Sequence, residues 1–372
     1  MKRCSCKALA LVWLLSLRSF SLPAAEPPVS ADNAGLIAKA HAIIQQNFAP
    51  QVPGVSVAVA VDGRIVWSES FGFRDLADKK PVTPTTRFRI GSISKALTSV
   101  GLALLVERGQ LELDAPIQKY VPDFPDKGAP ITTRMLAGHL SGIRHYHENE
   151  MYLNRPFPNV KAGLEIFQND PLVAAPGTKF SYTTYGFSLL SAVMESAAHE
   201  EFLHYMDDHV LRPLGLTHTR PDRKGLVDPE ATLFYQSDAQ GRFVLAPTVD
   251  NSYKWAGGGY LSTPEDLVRF GSALLQPGFL KETSLTLLFT SQKTAEGKPT
   301  GYGVGWFVGK DAEGHPIWWH TGGSIGGTSV LLLHPETKTV LALACNHTTP
   351  SLSKTDREAL VELFAPIFAN HR

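Results

Sequence analysis

The chemistry in this sequence begins at Phe88-Arg89-Ile90-Gly91-Ser92-Ile93-Ser94-Lys95. A serine and a lysine three positions apart, at the mouth of an apolar-periodic helix, stand one above the other on the same face. An amine held there could take the serine proton, provided burial and neighbouring positive charge keep it partly neutral. The helix N-terminus would favour the negative charge that develops. A plainer reading is that Ser92 or Ser94 caps the helix and Lys95 is solvated. Ser-x-x-Lys also arises by chance, and Ser351-Leu352-Ser353-Lys354 repeats it near the end of the chain. The motif needs partners.

Two stretches could supply them. Pro176-Gly177-Thr178-Lys179-Phe180-Ser181-Tyr182-Thr183-Thr184 runs from a turn into a helix and sets Tyr182 and Thr184 two apart at its start. A phenol near a cation can act as a base or shuttle a proton; otherwise Tyr182 is a half-buried packing residue. Trp318-Trp319-His320-Thr321-Gly322-Gly323-Ser324-Ile325-Gly326-Gly327 joins an apolar run to a polar triplet and four glycines. That pattern suits a strand whose backbone approaches a ligand closely, or else an edge strand with a flexible turn.

The elements that must position these residues are legible around them. Residues 35–46 read as an amphipathic helix. Residues 55–61 and 64–70 are β-rich runs joined by Asp62-Gly63, a strong hairpin signal. A second hairpin is predicted for 329–333 and 339–344, around His334-Pro335-Glu336-Thr337. A last helix is predicted from about Thr355, with Thr355 and Glu358 spaced as a capping box. Between the hairpins, 97–108, 185–198 and 264–275 read as helices separated by Pro- and Gly-rich connections. The fold class is therefore α/β of the α+β kind: one antiparallel sheet from both chain ends, flanked by helices and carrying a helical insert. The sheet regions would be about 32–92 and 300–372, and the helical region about 93–299, within one catalytic domain spanning 26–372.

Composition narrows the function. Of 372 residues, 35 are Lys or Arg and 35 Asp or Glu, with 43% hydrophobic and 19% charged. This is ordinary globular composition and lacks the basic surplus of an electrostatic nucleic-acid binder. Residues 1–25 read as a signal peptide: Lys2, Arg3 and Lys7, then an apolar stretch from Ala8 to Leu17, then Pro23-Ala24-Ala25. The expected location is periplasmic or secreted, the alternative being a retained anchor. Losing the leader leaves 31 basic and 35 acidic residues, net −4, and Cys345 as the remaining cysteine. No later segment is long and apolar enough to span a membrane, and no intrachain disulfide is expected.

Taken in order, the three chemical stretches resemble the serine penicillin-recognising enzymes, with their Ser-x-x-Lys, Tyr-x-Asn and Lys-Thr-Gly motifs. The likeness is to the class C β-lactamase-like branch of esterases and peptidases, and His139-Leu140-Ser141-Gly142 fits it too. Val249-Asp250-Asn251-Ser252-Tyr253-Lys254-Trp255-Ala256-Gly257-Gly258-Gly259, with Leu261-Ser262-Thr263, is similar to the LACTB family of filament-forming serine proteases. The resemblance implies a β-lactamase/transpeptidase-like fold with Ser92 as nucleophile and Lys95 and Tyr182 as the proton-handling pair. It implies an oxyanion hole from the N–H groups of Ser92 and Gly323. It also implies a substrate-binding strand at His320, Thr321, Gly322 and Gly323, with Thr184 beside it. A homo-oligomer or filament follows by the same resemblance.

Two residues depart from the family pattern. Thr184 stands where the wider family has Asn, and His320 where the penicillin enzymes have Lys. A free histidine is roughly a quarter charged at pH 7, so His320 is expected to be a weak cation for a β-lactam carboxylate. The expected function is a serine hydrolase acting on peptide or ester substrates through an acyl-enzyme. The alternatives are a β-lactamase or D-alanyl-D-alanine carboxypeptidase, and a non-catalytic scaffold. Which of Lys95 and Tyr182 is the base stays open. No cofactor or metal is expected: His145-Tyr146-His147 lacks the Asp-His that a metallo-hydrolase would add and reads as a loop beside the cleft. His199, His204 and His209 read as solvated or core-edge. Gly301-Tyr302-Gly303-Val304-Gly305 reads as a strand with small-residue packing.

Overall fold

Asp62 and Gly63 both adopt positive φ, 48° and 80°, the backbone that a two-residue hairpin turn demands. They join β1 (Gly54–Val61) to β2 (Arg64–Asp75), as the sequence predicts. A computed structural model describes residues 31–348. The leader, the helix predicted from Thr355 and the second Ser-x-x-Lys lie outside the described residues.

In chain order, α1 (Ala31–Asn47) precedes β1 and β2, and β3 (Lys80–Pro81) follows them. A short β4 (Phe88–Arg89) leads through one 3₁₀ turn (Gly91–Ile93) into α2 (Ser94–Glu107). The middle of the chain holds α3 (Thr133–Ala137), α4 (Val160–Leu164), α5 (Thr184–Ala198) and α6 (Phe202–Met206). Then come β5 (Arg220–Pro221), β6 (Tyr235–Ser237), β7 (Phe243–Leu245), α7 (Trp255–Gly258), β8 (Tyr260–Ser262), α8 (Pro264–Leu274) and α9 (Glu282–Phe289). β9 (Phe307–Lys310), β10 (Pro316–Ser324), β11 (Gly327–His334) and β12 (Thr339–Cys345) complete it. No helix among the described residues is long and apolar enough to cross a membrane.

The two chain ends build one antiparallel sheet in the order β3-β2-β1-β12-β11-β10-β9, with Val55 opposite Cys345 and Val61 opposite Thr339. Both faces of its centre are covered, which is why β1, β11 and β12 read as buried throughout rather than alternating. Val55, Val57, Val59 and Val61 pack with Leu341 and Leu343 under Ala40 and Ile44 of α1 and Phe48 just after it. The small residues between them, Ala58 and Ala60, join Leu331, Leu333 and Val340 against the helical side. Within β1 the valines fill the α1 side and the alanines face the helices. Burying a Val or Leu side chain is worth about 1.5–3 kcal/mol each, so this two-sided centre anchors the site.

A second small sheet, β4-β8-β5, does the local positioning. Phe88 pairs with Ser262 and Arg89 with Leu261, and Ile90 N–H donates to Tyr260 O at 3.1 Å. Ser329 Oγ of β11 donates to Ile90 O at 2.8 Å. The turn that carries Ser92 is thereby held between the two sheets. The Gly301–Gly305 stretch differs from its reading as a strand. It is a loop that enters β9, because Gly305 packs directly on Ser99 and the Lys95 carbonyl of α2 and takes positive φ.

Candidate active site

Gly91 opens the turn with φ +47°, and a Cβ there would lie 2.6 Å from Gly323 O and 2.8 Å from Gly323 N. Only glycine lets the Ser92 turn and the β10 edge touch in this way. Ser94 stitches the turn shut, its Oγ donating to Gly91 O at 2.7 Å and accepting from Tyr260 N–H at 3.3 Å. Ser92 is left half-exposed with its hydroxyl free of capping duty. Lys95, one turn on, is 0% exposed, so the solvated-lysine reading is excluded.

The Lys95 amine has three neighbours: Gly257 O at 2.6 Å, Ser92 Oγ at 3.1 Å and Thr184 Oγ1 at 3.2 Å. Burial, and then the nearby Lys254 amine, hold its pKa well below the ordinary lysine value. An uncharged amine has two N–H groups and one lone pair. Gly257 O can only accept, and Thr184 Oγ1 can accept the second N–H, so the lone pair is left for the Ser92 hydroxyl. Tyr182 lies on the other side of that hydroxyl. Its phenol hydrogen-bonds Ser92, while burial pushes its pKa up, so it stays protonated. Lys95 Nζ stands 4.8 Å from the Tyr182 ring centroid.

Tyr182 is placed by the start of α5. Ser181 N–H donates to His139 O at 2.8 Å, and Thr183 caps the helix, its Oγ1 accepting from Gly186 N–H at 3.2 Å. Two imidazoles then take further N–H groups there, each 3.2 Å away: His139 Nδ1 from Thr183 and His145 Nδ1 from Thr184. Both need a free lone pair and so must be neutral. Burial agrees, holding His139 well below the usual histidine range and His145 down to about 4. The His139 ring sits 4.3 Å from that of Tyr182, and Tyr302, Phe307 and His320 complete the aromatic surround.

On β10 the hairpin closes with Ser324 opposite Gly327 and Gly323 opposite Thr328. Antiparallel alternation makes the first pair hydrogen-bonded, so the Gly323 N–H turns away from β11 toward the Ser92 turn. A side chain on Gly322 would overlap Ile90 O, which fixes small residues here. The turn's first backbone bond runs from Ile93 N–H to Ile90 O, leaving Ser92 N–H without an acceptor inside the turn. Thr321 is half-buried beside them. His320 corrects one expectation: it is not a weak cation. It is 1% exposed, with Nδ1 2.7 Å from Thr321 O and Nε2 3.1 Å from the Tyr302 hydroxyl. The carbonyl must accept, so Nδ1 carries a proton, and in the neutral ring Nε2 accepts from Tyr302. Burial, and secondarily Lys95, bring its pKa down to about 3.

A family model described as Beta-lactamase matches residues 40–365 of the chain. The chain belongs to the beta-lactamase family. It is 32% identical to the human "Serine beta-lactamase-like protein LACTB, mitochondrial", over 83% of this chain and 76% of that protein. It is also similar to the octameric penicillin-binding protein homologue of Pyrococcus abyssi, with a TM-score of 0.76 and 26% identity over 90% of this chain and 78% of that one. A D-stereospecific amidohydrolase from Streptomyces sp. superposes with a TM-score of 0.73 at 25% identity, over 86% of this chain and 98% of that one. The β-lactamase/transpeptidase-like fold and the family resemblance read from the motifs both hold.

Within that beta-lactamase frame, several residues of the cleft escaped the sequence reading. Thr184, standing in for the family's Asn, passes its contact onward to the Tyr146 phenol, which also bonds Tyr253. His145 and Tyr146 ride a loop tied down by Arg144, which holds Glu150 at 2.6 and 2.9 Å and Asp170 at 2.5 Å. The loop beside the cleft was expected; its contacts with α5 were not. Lys254, 4% exposed, is a second buried amine in the cleft. Its one sequence signal was its setting, between Tyr253 and Trp255 and before three glycines. Among the described residues, Asp311, His315 and His334, and separately Glu200, His204 and Asp208, could each gather about a metal ion. Neither group includes a residue of the cleft.

Proposed function

We propose that this chain is a serine hydrolase that transfers acyl groups from peptide or ester substrates to water through an acyl-enzyme on Ser92. The observation that carries the reading is the Ser92 hydroxyl at 3.1 Å from the buried Lys95 amine, which has Gly257 O and Thr184 Oγ1 as acceptors and whose pKa burial holds well below the ordinary lysine value. Ser92 attacks the substrate carbonyl while Lys95 Nζ removes its proton. The oxyanion is received by the N–H groups of Ser92 and Gly323. Donors of this kind are typically worth about 10²–10³ in rate. Tyr182, protonated and bonded to Ser92, delivers a proton to the leaving group. In the second half the Tyr182 phenolate takes a proton from the attacking water as it opens the acyl-enzyme, and the Lys95 ammonium returns its proton to Ser92 Oγ, so both groups regain their starting states. For acylation, this assigns the base to Lys95 and the acid to Tyr182. Peptides and esters are favoured over β-lactams because the strand position that would meet a β-lactam carboxylate is a neutral, fully engaged imidazole.

The test is labelling with a fluorophosphonate probe followed by peptide mapping. The wild-type chain should label on the peptide containing Ser92, and Ser92→Ala should remove both the label and p-nitrophenyl ester turnover. An adduct on the peptide containing Ser351 would overturn the assignment.

A further inference from the structure

Lys254 is the feature of the cleft that the mechanism above leaves unused. Among the described residues its amine makes no hydrogen bond and no ion pair, although the side chain is 96% buried, given its 4% exposure. Its Nζ stands 5.1 Å from the ring centroid of Tyr253 and 5.4 Å from that of Tyr146. The stem runs beside the nucleophile turn. A Cβ placed on Gly258 would lie 3.9 Å from Lys254 Cδ and 3.8 Å from the Gly91 carbonyl carbon. On its far side Tyr146 hydrogen-bonds Thr184, whose Oγ1 is 3.2 Å from Lys95 Nζ. Tyr146, which Lys254 approaches, and Thr184, which Lys95 approaches, are thus neighbours, and among the described residues neither buried amine is bonded to a carboxylate.

We propose that Lys254 is a positioning residue that acts on Lys95 as a neighbouring positive charge, disfavouring protonation of the Lys95 amine so that it can take the Ser92 proton. The proposal rests on the serine-hydrolase reading. Electrostatics fit the geometry. The three imidazoles around Lys95 are neutral, and Lys254 is the charge that acts on it, after burial. The groups facing Lys254 itself are Lys95 from α2, Arg89 from β4, His145 and Tyr146 from the neighbouring loop, Tyr253 from its own turn, and Asp222. Asp222 does not neutralise it directly, since its Oδ2 accepts from Arg89 Nε at 2.7 Å and Asn251 Nδ2 at 2.6 Å. Burial, then Arg89, bring Lys254 down to about 7 while Asp222 opposes them. It thus keeps its proton on the acid side of neutrality. A strand cation could do this work in principle. With His320 neutral, the charge comes instead from the turn before α7.

The experiment is the pH profile of kcat/KM for a neutral p-nitrophenyl ester, from pH 4 to 9, on wild type and on Lys254→Gln, Lys254→Met and Lys254→Arg. The acid-side midpoint reports the proton on the base. A like charge at close range shifts a pKa by about one to three units. Removing it should therefore move the midpoint up by about one unit or more in both neutral variants. That is roughly a tenfold loss at a pH well down the acid limb, and Lys254→Arg should keep the wild-type midpoint whatever its plateau. Met packs in a buried site, so it stands in if Gln does not fold by circular dichroism. A midpoint unmoved in the neutral variants, or moved equally by Arg, overturns the proposal. A wild-type profile with no acid limb, or turnover that survives Ser92→Ala, overturns the serine-hydrolase reading instead.

Discussion

Two buried basic side chains flank the Ser92–Lys95 pair, and the protein treats them in opposite ways. His320, on β10, has a partner for each ring nitrogen, and both partners are satisfied by the neutral tautomer. Lys254, before α7, has aromatic faces and, among the described residues, no acceptor. Burial disfavours charge at both, but the starting points differ. It takes an imidazole from 6.5 down to about 3, and an amine from 10.5 only to about 7. The histidine is therefore uncharged at any ordinary pH, while the lysine keeps its charge on the acid side of neutrality. What a position contributes to the cleft field depends on its partners and on its intrinsic pKa, not on whether the residue is nominally basic. The positive charge of this cleft lies on the α7 side and is absent from the strand edge.

The comparison breaks first at the pair both corners surround. If Lys95 is the uncharged base, Lys95→Met should lower the acylation rate by about 10²–10⁴, the usual contribution of a positioned base. Tyr182→Phe should cost an amount in the same range, concentrated on substrates with poor leaving groups, because the protonated phenol serves the leaving group. Stopped-flow acylation with a p-nitrophenyl ester and with the matching anilide separates the two. If Tyr182→Phe slows both substrates equally, the phenol is not a leaving-group acid. If Lys95→Met leaves acylation intact, Lys95 is structural.

Arg89 tests whether the two corners are mechanically joined. Its Nε holds Asp222 at 2.7 Å, and its Nη1 donates to Ile325 O at 2.7 Å, in the turn just past Gly323. One buried guanidinium thus ties the strand before Ser92 to the tip of the β10–β11 hairpin. Arg89→Met would leave the half-buried Asp222 with Asn251 as its remaining side-chain donor. Breaking such a pair costs about 3–5 kcal/mol, to be read as a lower urea midpoint at constant slope. A loss under 1 kcal/mol would mean the hairpin tip is held by its backbone alone.

How far the sequence could see follows the same division between local and tertiary information. Asp62-Gly63, the apolar runs at both ends and the helix starts before Lys95 and after Tyr182 are local signals, and the structure realises them within a few residues. The spacing of Ser92 and Lys95 placed them on one face because helical geometry does so anywhere. The short strands β4, β5 and β8 carry no periodicity in two or three residues, and they become visible only once β8 lies between its partners. Lys254 and Tyr146 belong to the cleft because a loop and a turn about a hundred residues apart meet there, which no spacing encodes. The charge expected of His320 failed for the same reason. A solution pKa was assigned to a ring whose burial is set by Tyr302 and Phe307, brought in from the preceding loop and β9.

The smallest expected effect is the sharpest check on the comparison. His320→Gln replaces one neutral donor–acceptor pair with another: the amide NH₂ can donate to Thr321 O and its oxygen can accept from the Tyr302 hydroxyl. If His320 carries no charge above pH 4, this change should leave the acid-side midpoint of kcat/KM within about 0.3 unit of wild type. Neutral Lys254 variants should move it by about one unit or more. The sign is fixed by the chemistry: a histidine charged near pH 6 would help keep Lys95 unprotonated there, so removing it would raise the midpoint. A rise in His320→Gln comparable to that in Lys254→Gln would mean that the imidazole is protonated in the working enzyme. The Tyr302 hydroxyl would then accept from Nε2 rather than donate to it, and the strand edge would share the cleft's positive charge.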